Sequence, residues 1–124
     1  MKIKESAENY LETILILSKK IGSVRSIDVA NEMNFTKASI SVAMKRLRGD
    51  EYISMDADGI ITLTDKGKEI ATRVYERHQT IAKILITLGV REDTAYEDSC
   101  KIEHDLSQES FEKIKEYFLN HYKE

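Results

Sequence analysis

The sequence predicts a mainly α-helical fold in which an N-terminal winged helix-turn-helix domain, residues 1–64, is followed by an α-helical domain, residues 65–124. Apolar residues recur at spacings of three and four in successive segments, which is the period of amphipathic helices. Between the third and fourth segments, two short β-prone runs surround an Asp58-Gly59 pair, which is typical of a tight hairpin turn. Three helices followed by a hairpin is the element order of a winged helix.

Three helices are predicted before the hairpin: residues 6–19, residues 26–34, and a segment from Thr36 to Gly49. Ser26 and Thr36 are of the N-cap type, because their side-chain oxygens accept hydrogen bonds from the first turn of a helix. In the third helix Ile40, Met44 and Leu47 share one apolar face, while polar and basic residues occupy the other. The third helix therefore has the position and the pattern of a recognition helix.

Three more helices are predicted after the hairpin runs 52–55 and 60–63: from Thr64 or Asp65 to Gly89, from Thr94 to Leu106, and from Ser107 through Tyr122. Gly89 is a typical helix stop, because glycine adopts the left-handed conformation that ends many helices. Ser107 begins a Ser-Gln-Glu-Ser run that resembles a capping sequence. The boundary between the two predicted domains is accordingly placed near residue 64.

Composition excludes several classes of protein. Charged residues make up 33% of the chain and apolar residues 41%, which indicates a folded chain and not a disordered one. The longest mostly apolar stretch, residues 81–90, is shorter than the roughly 20 residues of a membrane span, and the first residues lack the apolar run of a signal peptide. A single cysteine, Cys100, excludes an internal disulfide framework and fits a reducing compartment. We therefore expect a cytoplasmic protein with no membrane partner.

The net charge of −3 hides a basic segment in the third helix. Between Thr36 and Arg48 the chain holds basic side chains and no acidic ones, as phosphate contacts require. Short hydroxyls and a lysine at the front of the helix suit base edges, and the later basic residues suit phosphates. The predicted DNA contacts are Arg25, Ser26, Thr36, Lys37, Ser39, Ser41, Lys45 and Arg46. An ordinary solvated helix has a similar composition, and it is the order of elements that favours double-stranded DNA as the partner.

Cys100, Glu103 and His104 form a second candidate site. At about 100° per helical residue, positions i, i+3 and i+4 lie in one sector, so that a thiolate, a carboxylate and an imidazole converge. This combination of donors binds first-row divalent metal ions. An acidic, solvated helix face with a buried structural cysteine has the same spacing, and the triplet alone leaves both interpretations open.

Several longer stretches match one known pattern: Glu8–Glu12, Val24–Ala30, Ser39–Ser41, Lys45–Leu47, Leu63–Gly67, Arg77-His78 and, most specifically, Cys100–Ser107. Through them the chain resembles the diphtheria toxin repressor and manganese repressor (DtxR/MntR) family along nearly its whole length. Members of that family are dimers that are activated by metal and repress metal-uptake genes. The resemblance implies a homodimeric transcriptional repressor with divalent iron or manganese as its corepressor.

Carried over residue by residue, the family's metal ligands fall on Asn9, Glu12, His78, Cys100, Glu103 and His104. Manganese-type members have aspartate at the position of Asn9 and glutamate at that of Cys100, whereas iron-type members have methionine and cysteine. Asn9 offers an amide oxygen without charge. The thiolate of Cys100 favours softer ions, so we expect Fe(II) first and Mn(II) next, with Co(II) or Zn(II) binding in vitro. Ala82 and Tyr96 replace two iron-type ligands, so no second iron-type site is expected.

Longer family members continue into a β-barrel domain, whereas this chain ends at Glu124, so the resemblance implies the short, manganese-type architecture. The helices after residue 64 correspond to the dimer-forming half of the family. The apolar residues expected to divide between the core and contacts with a partner subunit are Ile81, Ile84, Leu85, Leu88, Phe111, Ile114 and Phe118.

Three other functions agree with parts of the pattern. A winged-helix regulator that does not respond to metal would keep the first three helices and the hairpin, and a protein interaction module would use its amphipathic helices only to form oligomers. A metalloenzyme could also use Cys, Glu and His, but the sequence has no separate general base, glycine-rich phosphate loop or nucleophile elbow. We therefore predict a regulator, and neither an enzyme nor a protein with a small-molecule substrate.

Overall fold

The computed structural model describes residues 5–121, which form a mainly α-helical chain with one two-stranded sheet. The elements are α1 Glu5–Ile21, α2 Ser26–Met33, α3 Lys37–Gly49, β1 Ile53–Met55, β2 Ile61–Leu63, α4 Asp65–Thr87, α5 Glu92–Asp105 and α6 Gln108–His121. The predicted fold class and order of elements are confirmed. Tyr122, assigned to the last helix from the sequence, lies outside the described residues.

The chain divides into two compact units, and the division falls within α4, between Val74 and Tyr75. The first unit holds α1, α2, α3, both strands and the start of α4, and the second holds the rest of α4 with α5 and α6. None of the helices described between residues 5 and 121 is long and apolar enough to cross a membrane.

The first unit is a winged helix with an apolar core between its helices and its hairpin. Leu11, Val29 and Ile40 are fully buried, one from each of the first three helices. The strands β1 and β2 pair in antiparallel register, and each places one isoleucine, Ile53 or Ile61, in the core. This alternation of buried and exposed residues is expected of a hairpin with one face on the core.

The turn of the hairpin is held by the Asp56 side chain. Its carboxylate accepts hydrogen bonds from the N–H groups of Asp58 and Ile60, both at 2.9 Å. Gly59 has a φ of +80°, a conformation that other residues rarely adopt. The Asp-Gly signal in the sequence therefore marks the turn correctly.

The start of α2 differs from the prediction. Ser26 is its first helical residue, and Arg25, not Ser26, is the N-cap. The carboxylate of Asp28 accepts a hydrogen bond from the Arg25 N–H at 2.9 Å. The backbone carbonyl of Arg25 accepts the N–H groups of Asp28 and Val29, so this helix begins without a hydroxyl at its N-cap.

The start of α5 also differs, whereas two predicted caps are present. This helix begins at Glu92, two residues before the predicted Thr94, because the carbonyl of the preceding Arg91 already accepts the first helical hydrogen bond. At α3 and α6, Thr36 and Ser107 each accept a hydrogen bond from a backbone N–H at 3.1 Å. Hydroxyl caps were therefore predicted correctly for two of these helices.

Polar contacts join α4 to the later helices of the second unit. The buried guanidinium of Arg77 donates to the carbonyl of Leu106, at the end of α5, and lies over the ring of Phe111 at 5.2 Å. The Lys115 ammonium on α6 binds the Glu76 carboxylate, and this hydrogen bond raises the pKa of Lys115 above its ordinary value. Arg77 therefore fixes the C-terminal end of α5, the end that carries the candidate metal ligands.

Candidate metal centre and nucleic-acid interface

Along α5, one line of buried residues ends in a carboxylate. Ala95 and Ser99 are fully buried, and Glu103 is 2% exposed. These residues are four apart and lie on one face of the helix. Burying an ionised carboxylate costs several kcal/mol unless a cation or hydrogen bonds compensate it. On α5, Glu103 is therefore the buried residue whose desolvation cost most requires a compensating interaction.

Glu103 lies among other side chains of the types that bind metal ions. The ligand atoms of Cys100, Glu103 and His104 all lie within 4.8 Å of one another, and a ring nitrogen of His78 lies within 4.8 Å of the Glu103 carboxylate. One of these contacts joins His104 Nε2 to Glu103 Oε1 at 3.4 Å, between two almost fully buried side chains. Cys100 is half-buried. We call these four residues the Glu103 cluster.

The orientation of His78 is determined by a backbone carbonyl. Its Nε2 lies 3.1 Å from the carbonyl oxygen of Tyr96. A carbonyl only accepts hydrogen bonds, so Nε2 is the donor in this contact, and in a neutral ring Nδ1 is then the nitrogen that can bind a metal ion. Metal-binding histidines commonly donate their other N–H to a carbonyl or carboxylate in this way, which orients the ring. The ring also packs edge-on against the Tyr96 ring, with 5.9 Å between centroids.

Two further hydrogen bonds join α4 and α5 beside the cluster. The buried Ser99 hydroxyl donates to the backbone carbonyl of His78, and the Tyr96 hydroxyl donates to Gln79. Ser99 directly precedes Cys100, so this contact sets the position of the cluster along both helices. Ser99 was not predicted as a site residue, and Tyr96 was predicted only as a departure from the iron-type pattern. The spacing of small residues at 95 and 99 was the available signal for close packing of α5.

Asn9 and Glu12 lie on α1, in the first unit. Glu12 is 5% exposed, a second buried carboxylate, and Asn9 is half-buried. The neighbouring Glu8 pairs with Arg73 at 2.9 Å, also within the first unit. The residues of the Glu103 cluster belong to the second unit. That Asn9 and Glu12 complete the same site therefore stays a prediction.

The surface of α3 has the predicted distribution of side chains. Ile40, Met44 and Leu47 are buried, at 3% exposure or less. The predicted DNA contacts on or next to this helix are all exposed: Thr36, Lys37, Ser39, Ser41, Lys45 and Arg46. The structure thus presents one continuous basic and hydroxyl-bearing surface, which we call the α3 face.

Arg25 and Ser26 lie at the start of α2, outside the α3 face. The exposed Arg25 donates through Nε to the backbone carbonyl of Asp58 at 3.2 Å, so it joins α2 to the hairpin turn. Ser26 is half-buried. Val42, which was not among the predicted DNA contacts, lies on α3 and is 71% exposed. Position 42 does not share the helical spacing of the buried residues 40, 44 and 47, and this was the sequence signal that its side chain is exposed.

Together these features define a winged-helix DNA-binding protein with an attached helical domain. Two family models match the chain: "iron dependent repressor, N-terminal DNA binding domain" over residues 2–59, and "iron dependent repressor, metal binding and dimerisation domain" over residues 64–124. The chain belongs to the DtxR/MntR family of metal-dependent transcriptional regulators, as its sequence motifs implied.

Two similar proteins and one solved structure illustrate this relationship. An uncharacterised HTH-type transcriptional regulator of Methanocaldococcus jannaschii is 33% identical over 124 residues, which cover 98% of each chain. The HTH-type transcriptional regulator MntR of Geobacillus thermodenitrificans is 34% identical over 109 residues, 88% of this chain and 77% of the relative. The structure of the manganese regulator SloR is similar with a TM-score of 0.80 and 27% identity, over 99% of this chain. This chain spans 56% of the length of SloR.

Proposed function

We propose that this protein is a homodimeric repressor of metal-uptake genes, which binds its operator when Fe(II) or Mn(II) is bound at the Glu103 cluster. The cluster is the observation that carries the proposal, because a buried carboxylate lies within 4.8 Å of a thiol and two imidazoles. This set of donors suits first-row divalent ions, and a bound cation would offset the desolvation of the carboxylate. Relatives described as manganese regulators support the same class of ion.

In this proposal, ligands come from both units of the chain. His78 would bind through Nδ1, and Cys100, Glu103 and His104 through their side chains, with the Glu12 carboxylate and the Asn9 amide oxygen added from α1. A bound ion supplies positive charge to the buried carboxylates. A metal ion held by ligands from two units would bind best to one arrangement of those units. Metal binding would therefore shift the population toward that arrangement.

That arrangement would place two recognition helices in successive major grooves. In helix-turn-helix dimers the half-sites are about 34–36 Å apart, so DNA affinity depends on the spacing of the two α3 faces. Linkage requires that DNA in turn tightens metal binding. Exposed apolar residues of the second unit support a dimer: Leu88 and Ile114, both predicted as candidates for partner contact, are 66% and 41% exposed. By contrast, Ile81, Phe111 and Phe118 are buried in the chain itself.

A DNA-binding titration tests the proposal. A duplex selected from a random-sequence pool in the presence of Mn(II) would be titrated with protein by fluorescence anisotropy, with Mn(II), with Fe(II) under anaerobic conditions, and with a chelator. We expect metal to tighten binding at least about tenfold, within the usual range of allosteric coupling. Equal affinity with and without metal would show a metal-independent regulator, and the absence of any selected duplex would favour an interaction module.

The histidines of the chain supply a matched control for that titration. His104→Asn should lose the response to metal, because it removes a buried imidazole of the Glu103 cluster. His121→Asn should keep it, because His121 is exposed on α6 and contacts Tyr117, at its own helix end. An equal loss in both variants would indicate a general effect on folding and not a role in metal binding.

Cys100→Glu is expected to shift metal preference toward manganese. Thiolate favours softer ions than Mn(II), whereas a carboxylate suits Mn(II), so the ratio of Mn(II) to Co(II) affinity should rise about tenfold or more. Competition titrations of the two ions would measure this ratio. Cys100→Ser is the control, because it removes the thiolate without adding a carboxylate. An unchanged ratio in Cys100→Glu would show that Cys100 does not determine the choice of metal.

A further inference from the structure

The α3 face surrounds one large apolar side chain that the proposed DNA-binding function does not yet use. Val42 is 71% exposed, more than any other large hydrophobic residue within residues 5–121. It lies opposite the core residues of its own helix. Single exposed apolar residues are common on proteins, so its meaning depends on its surroundings.

Those surroundings are the centre of the predicted DNA-binding surface. Ala38, Ser41 and Lys45 lie at i−4, i−1 and i+3 from Val42, which places all of them on one exposed side of α3. Basic side chains flank Val42 on both sides along the helix, at Lys37 and Lys45. When the second helix of a helix-turn-helix lies in the major groove, its N-terminal residues contact base edges, and Val42 lies in the N-terminal half of α3.

The chemistry of valine limits what it can contact there. Its side chain neither donates nor accepts hydrogen bonds, and against a polar base edge it would remove water without replacing the lost hydrogen bonds. The thymine C5-methyl is the apolar group that base edges present in the major groove. Valine is also restricted to one main rotamer in a helix, so that little side-chain entropy is lost on contact.

We infer that Val42 is a specificity-determining residue that contacts a thymine methyl group in each half-site of the operator. The inference rests on the proposed function of α3 and adds the base that this position selects. It predicts an operator with a thymine at one fixed place in each half-site, and a loss of affinity when only that methyl group is removed.

Uracil substitution tests the inference, because uracil differs from thymine only by the absent methyl group. Each thymine of the duplex selected with Mn(II) would be replaced singly by uracil, and binding measured by anisotropy with Mn(II). We expect one thymine per half-site whose replacement weakens wild-type binding about fourfold, as expected for one buried methyl group. Val42→Ala should bind the thymine duplex more weakly and lose this sensitivity, whereas Ile21→Ala, at an exposed apolar residue on α1, should keep it.

The outcomes separate this inference from the proposed function. If metal-dependent DNA binding is intact but no uracil weakens it, or if Val42→Ala keeps the full sensitivity, the inference is wrong and the proposed function stands. A chain that selects no duplex would overturn both. Because the Val42 side chain is exposed, we expect Val42→Ala to have the same thermal unfolding temperature as the wild-type chain. This measurement would show that the variant is folded.

Discussion

Glu103→Gln is expected to bind divalent metal at least about 100-fold more weakly than the wild-type chain, while its metal-free form unfolds at an equal or higher temperature. Glutamine keeps the shape of glutamate and removes its charge. At 2% exposure, that charge is costly without a cation and valuable with one. The two effects therefore have opposite signs, which a purely structural role of Glu103 would not produce.

Metal titration by calorimetry and thermal unfolding with a chelator would measure the two effects. Glu97→Gln is the matched control, because Glu97 lies on the same helix but is exposed, and we expect it to change neither quantity. If Glu103→Gln destabilised the metal-free chain and left metal affinity unchanged, the Glu103 cluster would be a structural network and the proposed function would lose its main support.

Gly67→Ala is expected to lower the free energy of unfolding by about 3 kcal/mol or more. A Cβ at Gly67 would lie 1.9 Å from the carbonyl oxygen of Tyr52, and this contact is with backbone, which cannot rotate away. The same carbonyl accepts a hydrogen bond from the Thr64 N–H, which joins the beginning of β1 to the beginning of α4. Relief of the contact would therefore separate the hairpin from α4.

Gly49→Ala provides the control for this prediction. A Cβ at Gly49 has no atom within 4 Å, and the residue lies in the last turn of α3. We expect Gly49→Ala to be neutral or up to about 1 kcal/mol more stable, because alanine favours helix. Urea unfolding of both variants, followed by circular dichroism at one protein concentration, would measure the difference. Equal midpoints for the two variants would contradict the close approach at Gly67.

Most of the fold was predictable because its signals are local. The apolar period of α3, the Asp-Gly turn and the hydroxyl caps at Thr36 and Ser107 all depend on residues within one or two turns of each other. The incorrect starts at α2 and α5 have the same origin. At α2, the Arg25 carbonyl accepts the N–H groups of Asp28 and Val29, so the helix begins one residue before the start that a Ser26 cap would give. A residue type alone does not show which group accepts these bonds.

From spacing alone the candidate site was predictable to the extent that it lies on one helix, and His78 on α4 was predicted only through the family resemblance. The spacing of Cys100, Glu103 and His104 indicated that their side chains share a face, and the structure brings their ligand atoms within 4.8 Å. The hydrogen bonds that were not predicted join α4 to α5. The bond between Ser99 and the His78 carbonyl joins residues 21 positions apart, and no local pattern in the sequence encodes it.

The sequence by itself determined the order of the elements, the basic α3 face and the donor triplet on α5, because period and spacing are properties of neighbouring residues. Only the tertiary structure decided that Glu103 is buried and that His78 Nε2 donates to the Tyr96 carbonyl. It also decided that Val42 is exposed. Burial and hydrogen-bond partners depend on which distant segments pack together, and that packing sets the chemistry of each side chain.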